Sequence, residues 1–273
     1  MRKIIVGLSI LVLLNACNTK KDFEAVMSKG DLYSKTVSDL TEVITYDIFN
    51  PPVASRIYAY SHLAAYEVIA NTNANYTSLR DQLKGYVKSP APDPGKKISP
   101  GFAALTAFME VGRTLTFSKD KTDAIIDTLN LLAKEHGMPE DVFQNSIAYG
   151  VAVAKSVLEW SKKDKYAETR SAPKYTVNNN DEGKWVPTPP AYFAAVEPKW
   201  MTIRSIVMDS SNMFRPQAPY QFSKDKNSDF YKMVYEVYQI GNAAQTEQVA
   251  TADFWDCNGF KMNVVGHVMY ATK

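Results

Sequence analysis

The chain has 273 residues, of which 45% are hydrophobic and 22% are charged, so it can bury a sizeable core and does not have the composition of a disordered protein. Its 31 basic and 29 acidic residues give a net charge of +2, and no basic block stands out. This charge pattern argues against nucleic acid as a partner.

Residues 1–16 have the pattern of a secretory signal peptide. Arg2 and Lys3 make the start positive, and an apolar run follows from Ile4 to Leu14. Because a transmembrane helix needs about 20 apolar residues, this run is too short to span a bilayer, whereas its length suits a signal peptide. A small residue then precedes Cys17, which is the pattern cleaved by lipoprotein signal peptidase. We therefore expect an exported lipoprotein.

Lipidation of Cys17 would make this residue the first of the mature protein and its anchor to a membrane, facing the periplasm or the cell surface. The polar residues that follow predict a tether over 17–30, with a helical domain over 31–273. Since Cys257 is then the one cysteine left, no disulfide within the chain is expected. The fold must be stabilised by its core.

Apolar residues spaced three and four apart predict five helices before residue 166. The predicted helices run from Asp31 to Asn50, from Pro51 to about Asn71, from Ser99-Pro100 to about Phe117, from Asp120 to His136, and from Pro139 to about Lys165. The first two form a predicted helical hairpin. The stretch 71–98 is rich in Asn, Pro, Gly and Lys and is expected to be a loop.

The rest of the chain changes character. Residues 166–226 are rich in Pro and Trp and show little periodicity, which is typical of a functional or wrapping segment because idle loops of this length are uncommon. Helices are predicted again from Asp229 to Asn242 and from Thr246 to about Asp256. Strand patterns are few, so the predicted fold class is all-α.

The sequence lacks the motifs of several enzyme classes. Its three histidines, His62, His136 and His267, have no second histidine or cysteine at the spacing of metal ligands. No protein-made metal site is therefore expected. A nucleophile elbow, a phosphate-binding P-loop and a dinucleotide-binding glycine motif are all missing, which disfavours serine hydrolases and nucleotide enzymes.

Arg56, Tyr60, Leu63 and Glu67 share one face of the second predicted helix. They allow two interpretations. The two opposite charges could be buried together and shape a pocket, or each could meet a partner on a neighbouring element or the solvent.

Asp253 and Asp256 flank Phe254-Trp255, and they too allow two interpretations. They could be the paired carboxylates of a glycosidase-like site, or they could be solvated or cap a turn. His267 stands in an apolar stretch, where a lone histidine is usually structural.

Several segments, taken in order, resemble a known family. They read VITYDIFNPPVASRIYAYSHLAAYE over Val43–Glu67, KWVPTPP over Lys184–Pro190, EPKW over Glu197–Trp200, FRP over Phe214–Pro216 and ADFWDC over Ala252–Cys257. This order resembles the N-terminal half of bacterial vanadium-dependent haloperoxidases, in particular a lipoprotein branch of that superfamily, which shares its helical fold with type 2 phosphatidic acid phosphatases. The resemblance implies a helical bundle of the haloperoxidase type.

In that family an oxyanion, vanadate or a substrate phosphoryl group, is held by the motifs K-x6-R-P, P-S-G-H and S-R-x5-H. K-x6-R-P and P-S-G-H do not occur in this chain, and the spacing S-R-x5-H occurs only at Ser55, Arg56 and His62, before the F-W segment and without the other two motifs. Arg215-Pro216 has Met208 where the lysine would stand, and Gly266-His267 follows two valines. Relatives carry all three motifs after the F-W segment, so the chain is expected to end before the catalytic half begins.

The resemblance therefore predicts no catalytic, cofactor-binding or metal-binding residue in this chain, with vanadate bound only in an intact relative. The residues expected to contribute to a pocket wall are Arg56, Glu67, Asp253, Asp256 and His267. The intact protein would oxidise halide with peroxide or hydrolyse phosphate esters, acting on an unidentified small molecule. This chain alone is expected to be inactive, and to aggregate or form a homodimer through the apolar faces of its second and fifth helices.

A different class of function is a helical surface lipoprotein that binds glycan or another small ligand. Trp185, Trp200, Tyr192 and Tyr220 lie in the irregular segment and could form an aromatic platform for stacking. The sequence leaves this alternative open.

Overall fold

The structure, a computed structural model, describes residues 22–189 and 192–255. Within these ranges the protein has nine α-helices and no strand, which confirms the predicted all-α fold class. The helices are α1 Phe23–Met27, α2 Gly30–Tyr46, α3 Pro51–Thr72, α4 Pro100–Leu115, α5 Lys119–Glu135, α6 Glu140–Ser161, α7 Tyr166–Ser171, α8 Asp229–Ala243 and α9 Thr246–Trp255. Two short 3-10 helices cover Lys162–Asp164 and Trp200–Thr202.

Short polar side chains cap the starts of α3, α4 and α8. Asn50 Oδ1 accepts from the Val53 amide at 3.1 Å, and the hydroxyls of Ser99 and Ser228 accept from the amides three residues on. A proline follows Asn50 and Ser99 at the first helical position, where the missing N–H costs nothing. These starts lie where the sequence predicts them.

The first long helix, α2, differs from its predicted bounds. It ends at Tyr46 instead of Asn50, because the chain turns at Ile48 with a left-handed φ of 56°. A non-glycine residue in that region cannot continue a right-handed helix.

The predicted tether over 17–30 extends too far along the chain. Residues 23–27 form α1, whose N-cap Asp22 accepts from the Ala25 amide at 3.0 Å, and Met27 is only 2% exposed. A Cβ added to Gly101 would lie 2.5 Å from the Met27 carbonyl oxygen, so α1 packs directly on the start of α4. The folded domain therefore begins before residue 31. Cys17 lies outside the described residues.

The core is a bundle of three helices, α3, α4 and α6, with α4 packed against both of the others. Its largest fully buried side chains include Ile57, Phe102, Phe108 and Val153. On the other side of α4 lie α5 and α2. Because α4 covers the apolar faces of the second and fifth predicted helices, the expectation that these two faces are exposed is wrong. The homodimer itself stays a prediction.

The apolar side chains that remain exposed are concentrated at the other end of the chain. Neither α8 nor α9 has a buried residue, and neither makes extensive contact with another helix of the described ranges. Among the helices that the structure describes, none combines the length and the hydropathy required of a membrane span.

Two backbone hydrogen bonds hold the irregular segment against the bundle. The Arg204 amide donates to the Asp164 carbonyl at 2.9 Å, and the Lys84 amide donates to the Ile206 carbonyl at 3.0 Å. In turn, the Trp160 indole donates to the Lys84 carbonyl at 2.9 Å. The segment 200–206 thus lies across the end of α6 and the loop between α3 and α4.

Candidate functional site

Asp164 is the most buried charged group at the place where the irregular segment meets the bundle. It lies in the 3-10 helix that follows α6. Its side chain is 1% exposed, and its Oδ2 accepts from Arg56 Nε at 2.6 Å. Its Oδ1 accepts from the Tyr166 amide at 2.8 Å. The Arg56 side chain, from the second turn of α3, is itself only 10% exposed. This is a charge-assisted hydrogen bond shielded from water.

A second arginine reaches the same carboxylate through a tyrosine. Tyr60 donates its hydroxyl to Asp164 Oδ2 at 2.8 Å and accepts from Arg204 Nη2 at 3.2 Å. Arg204 Nη1 donates to the Trp160 carbonyl, and its guanidinium lies 4.0 Å from the centre of the Trp160 ring. Burial, together with the Asp164 charge, raises the pKa of Tyr60 above its ordinary value, so its hydroxyl stays protonated and remains a donor.

A third arginine pairs with a second carboxylate nearby. Arg170 donates to both oxygens of Glu197, whose side chain is 6% exposed, and Asn50 Nδ2 donates to Glu197 Oε1 at 2.9 Å. Burial alone would raise the pKa of Glu197, but these hydrogen bonds outweigh burial and hold it below its ordinary value. Glu197 therefore stays ionised and links the irregular segment to the start of α3.

We call Arg56, Arg170, Arg204, Asp164 and Glu197 the arginine–carboxylate cluster. Vanadate, which the resemblance implies, carries several negative charges and needs convergent donors that are not already engaged. In this cluster two carboxylates already take the donors of Arg56 and Arg170, and Arg204 keeps one buried Nε–H without a partner. One free N–H does not make an oxyanion cradle, so the cluster does not fit vanadate.

Glu67 lies at a different place from Arg56. It is fully buried, and its two oxygens accept from the Leu79 amide and the Ser78 hydroxyl, both at 2.8 Å. Eleven residues of helix separate Arg56 from Glu67, a distance of about 16 Å along the axis. The structure therefore does not bring the two charges into one pocket. Each has its own partner on a neighbouring element.

Of the other predicted pocket-wall residues, Asp253 is the one that the structure describes. Asp253 lies on α9, which makes no extensive contact with α3. Asp256 and His267 are outside the described residues, so the proposed carboxylate pair of Asp253 and Asp256 remains a prediction.

A cavity of about 850 Å³ lies between α1, the start of α2, the second half of α3 and the start of α4. His62 and Tyr33 are among its lining residues, and the Tyr33 hydroxyl and His62 Nδ1 share a hydrogen bond of 2.7 Å. Their rings also contact Phe108 in the core. Burial lowers the pKa of His62, which favours the neutral imidazole, and raises that of Tyr33.

Sequence reasoning missed both the cavity and the cluster. It gave His62 no role and did not single out Asp164 or Arg204, since no local pattern distinguishes them from surface residues. The sequence contains one weak indication of Asp164: it is the single acidic residue among the lysines that end the fifth predicted helix.

The aromatic residues of the irregular segment are engaged in different places. Trp200 makes an edge contact with Tyr166, at 6.5 Å between ring centres, and packs partly buried against the core. Trp185 makes an edge contact with Tyr175 at 5.6 Å. Tyr192 and Tyr220 are both more than half exposed. The rings of Trp185 and Trp200 therefore belong to two separate contacts and not to one stack.

The chain is similar to a solved structure described as the first bacterial vanadium-dependent iodoperoxidase. The two chains are 41% identical, with a TM-score of 0.81, over 86% of this chain and 58% of that chain. This chain thus spans less than two thirds of the iodoperoxidase. No protein-family model and no curated protein sequence matches it. The predicted resemblance to vanadium-dependent haloperoxidases and the predicted helical fold are both confirmed. The lipoprotein branch stays a prediction.

Proposed function

We infer that this chain, which has the helical fold of the vanadium-dependent haloperoxidases, forms the helical scaffold of an exported haloperoxidase-type protein. The observation that carries the proposal is the 41% identity to a bacterial vanadium iodoperoxidase over 86% of this chain. Because that relative is an iodoperoxidase, the proposed reaction is oxidation of a halide by peroxide. Iodide is the first substrate to test, ahead of phosphate esters.

In this proposal the three-helix core supplies rigidity and the arginine–carboxylate cluster fastens the irregular segment to it. Buried ion pairs with additional hydrogen bonds fix the geometry of the groups around them. The arginine–carboxylate cluster leaves one buried N–H free, which is too few donors for vanadate, and the family motifs K-x6-R-P and P-S-G-H do not occur in the 273-residue sequence. We therefore propose that this chain alone neither binds vanadate tightly nor turns over a substrate.

The inactivity is tested on the chain from residue 18 onward, expressed without its lipid. Orthovanadate binding is measured by calorimetry, together with iodide and bromide oxidation and the hydrolysis of p-nitrophenyl phosphate. We expect no heat of binding and no turnover above a heat-killed control. Clear turnover would place an active site within this chain and would contradict the proposal.

The haloperoxidase relationship is tested by a chimera in which this chain replaces the matching part of the iodoperoxidase. We expect the chimera to fold, to bind vanadate and to oxidise iodide, because the scaffold would then be complete. A chimera that folds, as judged by its helical circular dichroism and a cooperative melt, yet shows neither property would sink the proposed function.

We also propose that the protein is a lipoprotein anchored through Cys17. The sequence pattern around Cys17 supports this proposal. Cys17→Ala should abolish incorporation of radiolabelled fatty acid and should release the protein from the membrane or leave its precursor uncleaved. Unchanged lipid labelling and membrane association in the variant would rule the anchor out.

A further inference from the structure

The cavity between α1, the start of α2, the second half of α3 and the start of α4 has the size of a small-molecule site. Its volume of about 850 Å³ lies within the range of about 300–1,000 Å³ that is usual for ligand pockets in proteins. Met27, Ala65, Ala104 and Leu105 line it, and each of them is buried. This part of the wall therefore offers a ligand apolar contacts and no side-chain hydrogen bond.

His62 brings a hydrogen-bond donor to the same cavity. The Tyr33 hydroxyl and His62 Nδ1 are 2.7 Å apart, and burial raises the pKa of Tyr33, so the hydroxyl keeps its proton. Because that proton has no other acceptor among the described residues, Tyr33 donates to Nδ1, and the proton of the neutral imidazole is on Nε2. No residue that the structure describes accepts from Nε2. The rings of Tyr33, Tyr58 and Phe108 contact the imidazole and hold it in place.

Two other polar side chains of the wall are already engaged. The Tyr66 hydroxyl donates to the Thr77 carbonyl at 2.9 Å, and the Thr72 hydroxyl donates to the Val68 carbonyl at 2.8 Å. The N–H of His62 is thus the donor beside the apolar wall that a ligand can use. A carbonyl oxygen suits this donor, because it accepts a hydrogen bond without bringing a donor that would need its own partner.

The charges of the wall favour an uncharged ligand. Glu24 and Lys29 both line the cavity, and neither forms an ion pair with another described residue. A charged ligand would be attracted by one of these side chains and repelled by the other, so the wall offers it no net Coulombic gain. An uncharged molecule avoids the repulsion and keeps the apolar contacts.

We propose that this cavity is a binding site for an uncharged, largely apolar molecule with a carbonyl oxygen that accepts from His62 Nε2. The apolar part of the ligand packs against the wall that Met27, Ala65 and Leu105 form. The site lies in the part of the chain before residue 106, and it does not depend on the proposed halide oxidation.

The probe is prodan, an uncharged naphthalene ketone whose fluorescence shifts to shorter wavelength in apolar surroundings. We expect saturable binding to the lipid-free chain from residue 18 onward, with this shift. His62→Phe keeps an aromatic ring but removes the donor, and it should raise the Kd about tenfold. His62→Gln supplies an N–H donor again and should recover most of the affinity. The dimethylaminonaphthalene that lacks the ketone, used as a competitor, should bind the wild type and His62→Phe equally.

A second pair of variants tests the location without touching the hydrogen bond. Gly30 lines the cavity, and a Cβ added there would meet nothing within 4 Å, so Gly30→Phe should fill the space and abolish saturable binding. Glu42→Phe adds the same ring to α2, about 18 Å further along the helix, and should leave the Kd unchanged. Both positions are exposed, so both variants should melt like the wild type.

Three results would overturn the inference. No saturable binding to the wild type would show that the cavity is not available to such a ligand. Equal binding to the wild type, His62→Phe and Gly30→Phe would place the probe at another apolar surface. Tighter binding of the naphthoate in which a carboxylate replaces the ketone would show that the site prefers an anion.

Discussion

Arg56 Nε lies 2.6 Å from Asp164 Oδ2, so a buried cation on α3 is neutralised by a buried anion 108 residues further along the chain. The pair joins the start of α3 to the end of α6. Tyr60 and Arg204 extend the same contact to the irregular segment.

Replacing Arg56 by Met should lower the free energy of unfolding by about 3–5 kcal/mol, because the buried Asp164 carboxylate would lose its counter-charge. Urea denaturation measures the change. The control is Lys35→Met, which breaks the pair between Lys35 and Asp39, in which the lysine side chain is 67% exposed. Such a surface pair contributes about 1 kcal/mol or less. Equal losses in the two variants would show that the Arg56 pair is not buried in solution.

Replacing Glu67 by Gln should destabilise the loop between α3 and α4. The amide offers one acceptor oxygen where two are needed, so either the Leu79 amide or the Ser78 hydroxyl loses its partner. An unsatisfied buried group costs about 1–3 kcal/mol. Glu42→Gln, at an exposed site on α2, should change the unfolding free energy by no more than about 0.5 kcal/mol. If the Glu67 variant lost no more stability than the Glu42 control, the two buried hydrogen bonds of Glu67 would be contradicted.

Gly150→Ala tests the close packing of α6 on α4. The added Cβ would lie 2.6 Å from the Ala103 carbonyl oxygen and 2.9 Å from Thr106 Cβ, so the helices would have to separate. We expect a loss of about 1–3 kcal/mol, measured by thermal unfolding. The matched control is Gly241→Ala on α8, where the Cβ would meet nothing within 4 Å. There alanine should stabilise the helix by about 0.5–1 kcal/mol. If both variants changed the unfolding free energy in the same direction, the close packing of α6 on α4 would be contradicted.

Asp47→Ala should loosen the start of α5. Asp47 Oδ2 accepts from the amides of Phe117 and Ser118 at 2.7 and 3.1 Å, so a residue at the end of α2 holds the N-cap residue of α5, 71 residues later. Loss of such a cap costs about 1–2 kcal/mol. Faster hydrogen exchange should be confined to the first turn of α5. Asp127→Ala, on the exposed side of the same helix, should leave the unfolding free energy and the hydrogen exchange unchanged. An equal loss of stability in this variant would disprove the role of Asp47.

His62 should make the protein less stable as the pH falls below about 6.5. Burial lowers the folded-state pKa of His62 below its ordinary value of about 6.5, so near that pH the unfolded chain binds the proton more readily than the folded one. The contribution of neutral His62 to the free energy of unfolding is therefore fully present above about pH 6.5. It is lost as the pH drops toward the folded-state pKa. His62→Gln should flatten this part of the profile, measured by urea denaturation between pH 7 and 5. Identical slopes in the two proteins would show that His62 does not contribute.

Local chemistry allowed much of the fold to be predicted. Asn50, Ser99 and Ser228 each accept from an amide three residues away, and Gly137 takes the left-handed conformation that follows α5. Capping acts within one helical turn, so the residues that decide it are adjacent in the sequence. The family resemblance also follows from the order of the segments along the chain.

What the sequence by itself determined was which side chains share a helical face, because helical periodicity fixes their angles around the axis. Only the tertiary structure decided what each face meets: Arg56 contacts Asp164, Glu67 contacts a loop, and α4 covers the second and fifth predicted helices, whereas among the described residues none of α8 is buried. The physical reason is distance along the chain. A side chain's direction depends on its neighbours in sequence, whereas its partner is chosen by the packing of helices that lie many residues apart.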